Sequence, residues 1–187
     1  MKTLLQFMIK YSTGKIVLLF FVLTMFVYLS MLLYTIPTLE TFTPKHPIFD
    51  LSPFGYSFDY ANELLRVLGD QGRDIYLYKQ LPLDFIYPGL FSITYSLLLL
   101  WLFRKSFDIN SKIQYLFLVP FLAGIFDYVE NLFIIKMITS FPQLEVNTVK
   151  IASTFTVLKS SFTMLFFILL FLGFLFFLKK SFIGTSK

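Results

Sequence analysis

The chain has no cysteine and a single histidine, His46, among its 187 residues. Without cysteine, the chain cannot form disulfides, thiol nucleophiles, iron–sulfur ligands or thiolate zinc sites. One histidine likewise excludes bis-histidine haem ligation and histidine-cluster metal sites within one chain. Charge is scarce too, since only 14% of the residues are Asp, Glu, Lys or Arg. We therefore expect neither a cofactor nor a metal.

Apolar residues are abundant instead. They make up 57% of the chain, and the mean hydropathy is +0.74. A helix needs about 20 mostly apolar residues to cross the hydrocarbon layer, and the segments 16–36, 83–103, 113–138 and 151–178 satisfy this requirement. The sequence predicts an all-α, polytopic membrane protein in contact with lipid, with residues 1–187 forming one membrane domain. We number these segments as spans 1 to 4 of a four-transmembrane-helix bundle.

Basic residues form three groups that fall on one side of the bundle when consecutive spans alternate in direction. Because Lys and Arg favour the cytoplasmic side of short connections, both termini are predicted to be cytoplasmic. The net charge of +5 lies mainly beside apolar segments rather than in an exposed basic patch, so we expect no nucleic-acid partner. The three groups are Lys2, Lys10 and Lys15; Arg104, Lys105 and Lys112; and Lys179, Lys180 and Lys187.

The long outer loop between spans 1 and 2, residues 37–82, contains a helical pattern. Phe58, Ala61, Leu65 and Leu68 recur at helical spacing, and a glycine follows at Gly69. These residues predict a short amphipathic helix. We favour an orientation in which it lies on the outer leaflet, and the alternative is a cap over a polar opening in the bundle.

Spans 3 and 4 carry ionisable residues within their apolar stretches. Asp127, Glu130 and Asn131 share one face of span 3, because they are three and four residues apart. At a rise of about 1.5 Å per residue, Glu130 and Lys159 both lie roughly 12 Å from the outer ends of their spans. We therefore expect Lys159 to pair with Glu130, Asp127 or both. The polar stripe of span 4 also contains Thr156, Ser160 and Thr163.

Span 2 adds a third polar face, which holds Asp84, Tyr87 and Tyr95. Pro88 has no backbone N–H, so the carbonyl of Asp84 loses its normal helical partner and the helix should bend. A freed carbonyl beside a carboxylate would form part of a polar pocket. The simpler interpretation of Asp84 is that it reaches water near the outer edge or caps its helix. Arg73, in the preceding loop, is expected to contact lipid headgroups or to pair with Asp84.

Ionised groups near the centre of a span cost about 2.5–3.5 kcal/mol each, so the charged residues of spans 3 and 4 should face the protein interior. Two interpretations of the cluster stay open. It is a site for a small polar ligand, a lipid headgroup or a proton, or it is a buried polar network that only fixes helix register. One carboxyl could also stay protonated, since ionising two neighbouring acids in a low dielectric is unfavourable.

The stretch "PFGYSFDYANELLRVLGDQGRDIYLYKQLPLDFIYPGLFSITYSLLLLWL", together with "VPFLAGIFDYVENLFI", resembles a group of small bacterial four-span membrane proteins. The shared features are a Tyr-led loop helix, a Gly-Arg-x-x-Tyr turn, a Leu-Asp-x-x-Tyr-Pro span and an Asp-x-x-Glu-Asn span. The resemblance covers about residues 54–178. It implies the four-span architecture and a location in the bacterial cytoplasmic (inner) membrane, and it adds no mechanism.

Three classes of function compete. We favour a small ligand-binding, lipid-binding or transport-related bundle, acting as a homo-oligomer, with a carboxylate–lysine site. The alternative is an accessory protein whose polar network fixes helix packing and which binds a partner membrane protein. An intramembrane lipid-modifying enzyme is disfavoured, because the spans contain no His, Cys, Gly-x-Ser-x-Gly elbow, metal-ligand cluster or phosphate-binding Gly loop. The sequence assigns no catalytic residue.

Overall fold

A computed structural model of the protein describes residues 2–108 and 111–184, and these form helices and connections without any strand. The α-helices are α1 (Lys2–Tyr11), α2 (Gly14–Ser30), α3 (Ile36–Glu40), α4 (Phe58–Ile75), α5 (Leu81–Ser106), α6 (Leu118–Ser140) and α7 (Val146–Gly184). One π-helical turn, Met31–Thr35, joins α2 to α3, and another, Tyr76–Gln80, joins α4 to α5. Short 3₁₀ helices cover Phe49–Leu51 and Lys112–Phe117.

Four helical segments are long and apolar enough to cross a membrane, which confirms the predicted fold class. They are Gly14–Glu40, Phe58–Ser106, Lys112–Ser140 and Val146–Lys180. The second segment is much longer than predicted, because α4 and the following π-helical turn continue into α5 without a loop. Its apolar, membrane-crossing part is α5, which contains the predicted span 2.

Helices α5, α6 and α7 pack against one another, whereas α2 packs mainly on α5 and has few contacts with α7. A hydrogen bond of 2.6 Å between the hydroxyls of Thr24 and Thr94 joins α2 to α5. Gly124 lets α6 approach α5 closely, because a Cβ at this position would lie 2.8 Å from the carbonyl oxygen of Pro88. Span 1 thus lies beside a compact group formed by spans 2, 3 and 4.

The described members of the three basic groups meet at one end of the bundle, which we call the termini end, and Lys187 lies outside the described residues. Arg104 of α5 donates a hydrogen bond of 2.8 Å to the carbonyl of Ile9 in α1. Lys105 lies over the ring of Phe177 near the end of α7, at 5.4 Å. The opposite end, called the loop end, holds the α3–α4 and α6–α7 connections.

Ser57 caps the start of α4, since its hydroxyl accepts a hydrogen bond of 3.1 Å from the backbone N–H of Tyr60. Its apolar face does not lie on a lipid surface. Leu64, Leu65 and Leu68 are fully buried and pack in one core with side chains of α6 and α7. The favoured prediction of a helix on the outer leaflet is therefore wrong, because the protein itself covers this face. Helix α4 caps the loop end.

Arg73 belongs to this cap and not to the polar site of the spans. Gly69 breaks α4 with φ 60° and ψ −176°, and the carbonyl of Leu65 lies one turn before this break. Arg73 donates a hydrogen bond of 2.6 Å to that carbonyl, pairs with Asp70 and lies 4.6 Å from the ring centre of Phe141. The predicted alternative in which Arg73 pairs with Asp84 is wrong, because its guanidinium contacts Leu65, Asp70 and Phe141 instead.

Candidate functional site

Lys159 joins spans 3 and 4 through two ion pairs. Its Nζ atom lies 2.5 Å from Oε2 of Glu130 and 3.3 Å from Oδ1 of Asp127. The pairing predicted from equal depth is confirmed, and Lys159 contacts both carboxylates. The pairs are buried, since the side chains of Lys159, Asp127 and Glu130 are 15%, 9% and 0% exposed. Each charge is compensated within the protein rather than by solvent.

One half of this cluster links the helices. The Thr156 hydroxyl donates a hydrogen bond of 2.7 Å to Oε1 of Glu130, and both residues are fully buried. Asn131 donates from Nδ2 to the backbone carbonyl of Asp84, at 2.8 Å. Pro88 deprives this carbonyl of its helical partner, and the Asn131 amide supplies a donor in its place. Glu130, Asn131 and Thr156 therefore connect α5, α6 and α7.

The other half of the cluster lines a cavity of about 550 Å³. Residues of α2, α5, α6 and α7 line it, with α5 and α6 between α2 and α7. The α3–α4 connection contributes at the loop end through Asp50, Leu51, Pro53 and Phe54. Six of the predicted site residues line this cavity, namely Asp84, Tyr87, Asp127, Lys159, Ser160 and Thr163.

Asp84 is more deeply buried than its position near the end of a span suggests. It is 5% exposed, it lines the cavity, and its Oδ2 atom has no hydrogen-bond partner among the described residues. The interpretation that Asp84 reaches water or caps its helix is wrong, because α4 and the α3–α4 connection cover this end of the bundle. Asp84 is an unpaired acceptor beside a cavity.

Tyr95 is part of the core rather than of the site. It is 8% exposed, and its ring centre lies 4.7 Å from those of Phe91 and Phe166. The shared face of span 2 was predicted correctly, but α7 packs over its deeper part and closes it. Only Tyr87 of the two predicted tyrosines reaches the cavity.

Sequence reasoning missed several polar residues of the cavity, among them Asp50 and Gln80. Asp50 accepts a hydrogen bond of 2.6 Å from the hydroxyl of the fully buried Tyr76. Gln80 accepts a hydrogen bond from the hydroxyl of Thr35, which joins the two π-helical turns. The sequence signal that could have found Asp50 is the apolar pair Ile48 and Phe49 immediately before it. Both side chains are fully buried, so the connection turns inward at this point.

Tyr56 fixes the segment that covers the cavity. Its backbone N–H donates a hydrogen bond of 2.8 Å to the Ser153 hydroxyl of α7, and its ring centre lies 4.7 Å from that of Phe49. Burial, followed by the charge of Glu130, raises the pKa of the Tyr56 phenol well above its ordinary value, so the hydroxyl stays protonated at neutral pH. The connection before α4 is therefore attached to span 4 by neutral groups, the Tyr56 backbone N–H and the Ser153 hydroxyl.

The lining combines one polar region with extensive apolar walls. Among the described residues, no group of three or more His, Asp or Glu side chains is arranged to hold a metal ion. Apolar walls with a few convergent polar groups are typical of sites for small organic molecules. The apolar part comprises Tyr28, Met31, Ile36, Phe54, Phe91, Met164 and Phe167.

No model of a known protein family, no curated protein and no solved structure matches this chain.

Proposed function

We propose that the protein binds a small amphiphilic molecule or lipid in the cavity between spans 1 and 4, as a ligand-binding or transport-related bundle. The observation that carries this proposal is the unpaired carboxylate oxygen of Asp84 beside a cavity with apolar walls. A buried acceptor without a partner costs about 1–3 kcal/mol, and this cost is recovered when a ligand supplies a donor.

The position of the cavity supports entry from the lipid. Its lining includes residues of span 1 and of α7, and α2 has few contacts with α7. Tyr28 of α2 and Met164 and Phe167 of α7 line the cavity and are also 37%, 67% and 54% exposed. Side chains that belong to both the cavity and the apolar outer surface form a lateral opening. An apolar chain could enter there while a polar group moves towards Asp84.

A structural role is the second candidate, and it is favoured for one half of the cluster. The residues of this half, Glu130, Asn131 and Thr156, are fully buried and do not line the cavity. Thr156 of α7 bonds to Glu130 of α6, and Asn131 of α6 bonds to the carbonyl of Asp84 in α5. Networks of this kind can fix the register of packed helices. We propose that these three residues align the spans while Asp84, Asp127 and Lys159 face the ligand.

Native mass spectrometry of the gently purified protein tests the binding proposal. We expect the wild type to carry a bound molecule, and Thr163→Trp to lose it because the indole fills the cavity. Thr154→Trp is the matched control, since Thr154 is an exposed residue of the same helix that does not line this cavity. The absence of any bound mass in the wild type would contradict the proposal, as would equal occupancy in both variants. The same spectra report whether the protein is a homo-oligomer or has a partner protein.

We also infer that the termini end faces the cytoplasm and that the protein resides in a bacterial inner membrane. The support is the convergence of the predicted basic groups, shown by the contacts of Arg104 with Ile9 and of Lys105 with Phe177. The resemblance to small bacterial four-span proteins agrees with this location. The cavity then opens in the outer half of the membrane.

A further inference from the structure

Acidic groups outnumber basic groups around the cavity. Asp50, Asp84 and Asp127 line it, whereas Lys159 is the only lysine or arginine among its described lining residues. Glu130 adds a fourth carboxyl, which lies 2.5 Å from the Lys159 ammonium and does not line the cavity. Because Lys159 pairs with Asp127 and Glu130, its charge is already compensated. No basic side chain of the lining is left for Asp50 and Asp84.

Asp50 and Asp84 come from different parts of the fold and interact directly with each other. Asp50 belongs to the connection before α4 and Asp84 to the first turn of α5, and their carboxyl groups are within hydrogen-bonding reach. One oxygen of each, Oδ1 of Asp50 and Oδ2 of Asp84, is buried and has no hydrogen-bond partner among the described residues. Two facing carboxyls in a low dielectric require a shared proton or a cation between them.

Aromatic rings surround the same region. Tyr87, one turn after Asp84, lies 5.8 Å from the ring centre of Tyr28 and 5.8 Å from that of Phe91, and all three line the cavity. The face of an aromatic ring attracts an organic cation, and the attraction is stronger where water is excluded. Carboxylates beside aromatic rings are therefore complementary to an ammonium group, and they repel an anionic headgroup.

We propose that the ligand of this cavity is an amphiphile with a positively charged ammonium group, which Asp84 and Asp50 bind while its apolar chain lies between α2 and α7. This inference rests on the proposed function and specifies its ligand class. The cavity volume of about 550 Å³ is far larger than a metal ion needs, and the lining side chains are not arranged as metal ligands. A lipid with an amino headgroup and a free long-chain amine share the required chemistry.

Thermal unfolding in a neutral detergent tests the ligand class with three eight-carbon probes that differ only in the headgroup. We expect octylammonium to raise the midpoint of unfolding, because a ligand that binds only the folded state stabilises it. Octanol and octanoate should have no comparable effect, since they lack the cation. Ethanolamine, which has the ammonium without a chain, should act only weakly. An equal effect of ethanolamine would show that a free small amine is the ligand and would overturn the amphiphile.

Asp84→Asn should weaken binding of octylammonium by about tenfold or more, because it removes the charge from a hydrogen bond to a cation. Asp74→Asn is the matched control, since Asp74 is exposed on α4 and does not line the cavity. If Asp84→Asn does not fold, Asp50→Asn removes the facing carboxylate instead. The comparison of the three headgroups on the wild type still decides whether the cavity prefers a cation.

A stronger effect of octanoate than of octylammonium would overturn the inference, as would equal effects of all three chains. Both results would leave the proposed binding of an amphiphile intact. If no probe shifts the midpoint, Asp50 and Asp84 share a proton rather than bind a cation, and the inference is wrong. The native mass spectra then decide the proposed function independently, since they do not depend on these probes.

Discussion

Lys159 neutralises two carboxylates at once, so its removal should have a larger effect than its own contacts suggest. Lys159→Met would leave Asp127 and Glu130 buried without a counter-charge. Breaking a buried pair in this way costs about 3–5 kcal/mol, and we expect the free energy of unfolding to fall by a similar amount. Thermal or denaturant unfolding in detergent measures the change.

The matched control is Lys150→Met on the same helix, because Lys150 is exposed and its loss should change the free energy of unfolding little. Combining Lys159→Met with Asp127→Asn and Glu130→Gln should restore most of the lost stability, since no uncompensated charge remains. An unfolding midpoint unaffected by Lys159→Met alone would show that the ion pairs do not hold spans 3 and 4 together.

Some residues of the site follow directly from the sequence. Lys159 and Glu130 could be matched because the depth of a residue in a span depends only on its distance along a straight helix. The free carbonyl of Asp84 follows from the chemistry of Pro88. Asp50 could not be predicted in the same way, because it lies in an irregular connection that has no periodicity to define its direction.

At the scale of elements, the amphipathic pattern of helix α4 predicts a helix but not whether its apolar face contacts lipid or protein. The apolar face of Leu64, Leu65 and Leu68 is equally suited to lipid and to a protein core, since both are apolar. The structure places this face against α6 and α7. The choice depends on the long-range position of α4, which the π-helical turn Tyr76–Gln80 and the break at Gly69 determine.

Gly69→Ala should weaken the cap without any steric clash. A Cβ at Gly69 would meet no atom within 4 Å, so the effect comes only from the backbone, whose φ of 60° and ψ of −176° suit glycine alone. We expect a loss of about 1–3 kcal/mol in the free energy of unfolding. Asn62→Ala on the exposed side of α4 is the control, and it should be neutral. Equal stability of the two variants would show that the break is not required.

At the scale of the whole molecule, hydropathy predicted the number of spans but not their neighbours. Helices α6 and α7 pack against each other, and these are the spans that the predicted pairing of Lys159 with Glu130 or Asp127 joins. Nothing in the composition of span 1 indicates that it packs on α5 and leaves an opening towards α7, because its residues are apolar on every side. The cavity is a consequence of this arrangement, so only its polar residues could be predicted.

The absence of native cysteine makes the orientation of the whole molecule directly testable. Gln143→Cys places one thiol in the α6–α7 connection at the loop end, and Ser106→Cys places one at the termini end of α5. If the convergent basic groups face the cytoplasm, a membrane-impermeant maleimide added to intact cells should label Gln143→Cys and not Ser106→Cys. Permeabilised cells should show labelling of both variants, which controls for reactivity. Labelling of Ser106→Cys alone in intact cells would reverse the orientation and place the opening beside Asp84 in the cytoplasmic half of the membrane.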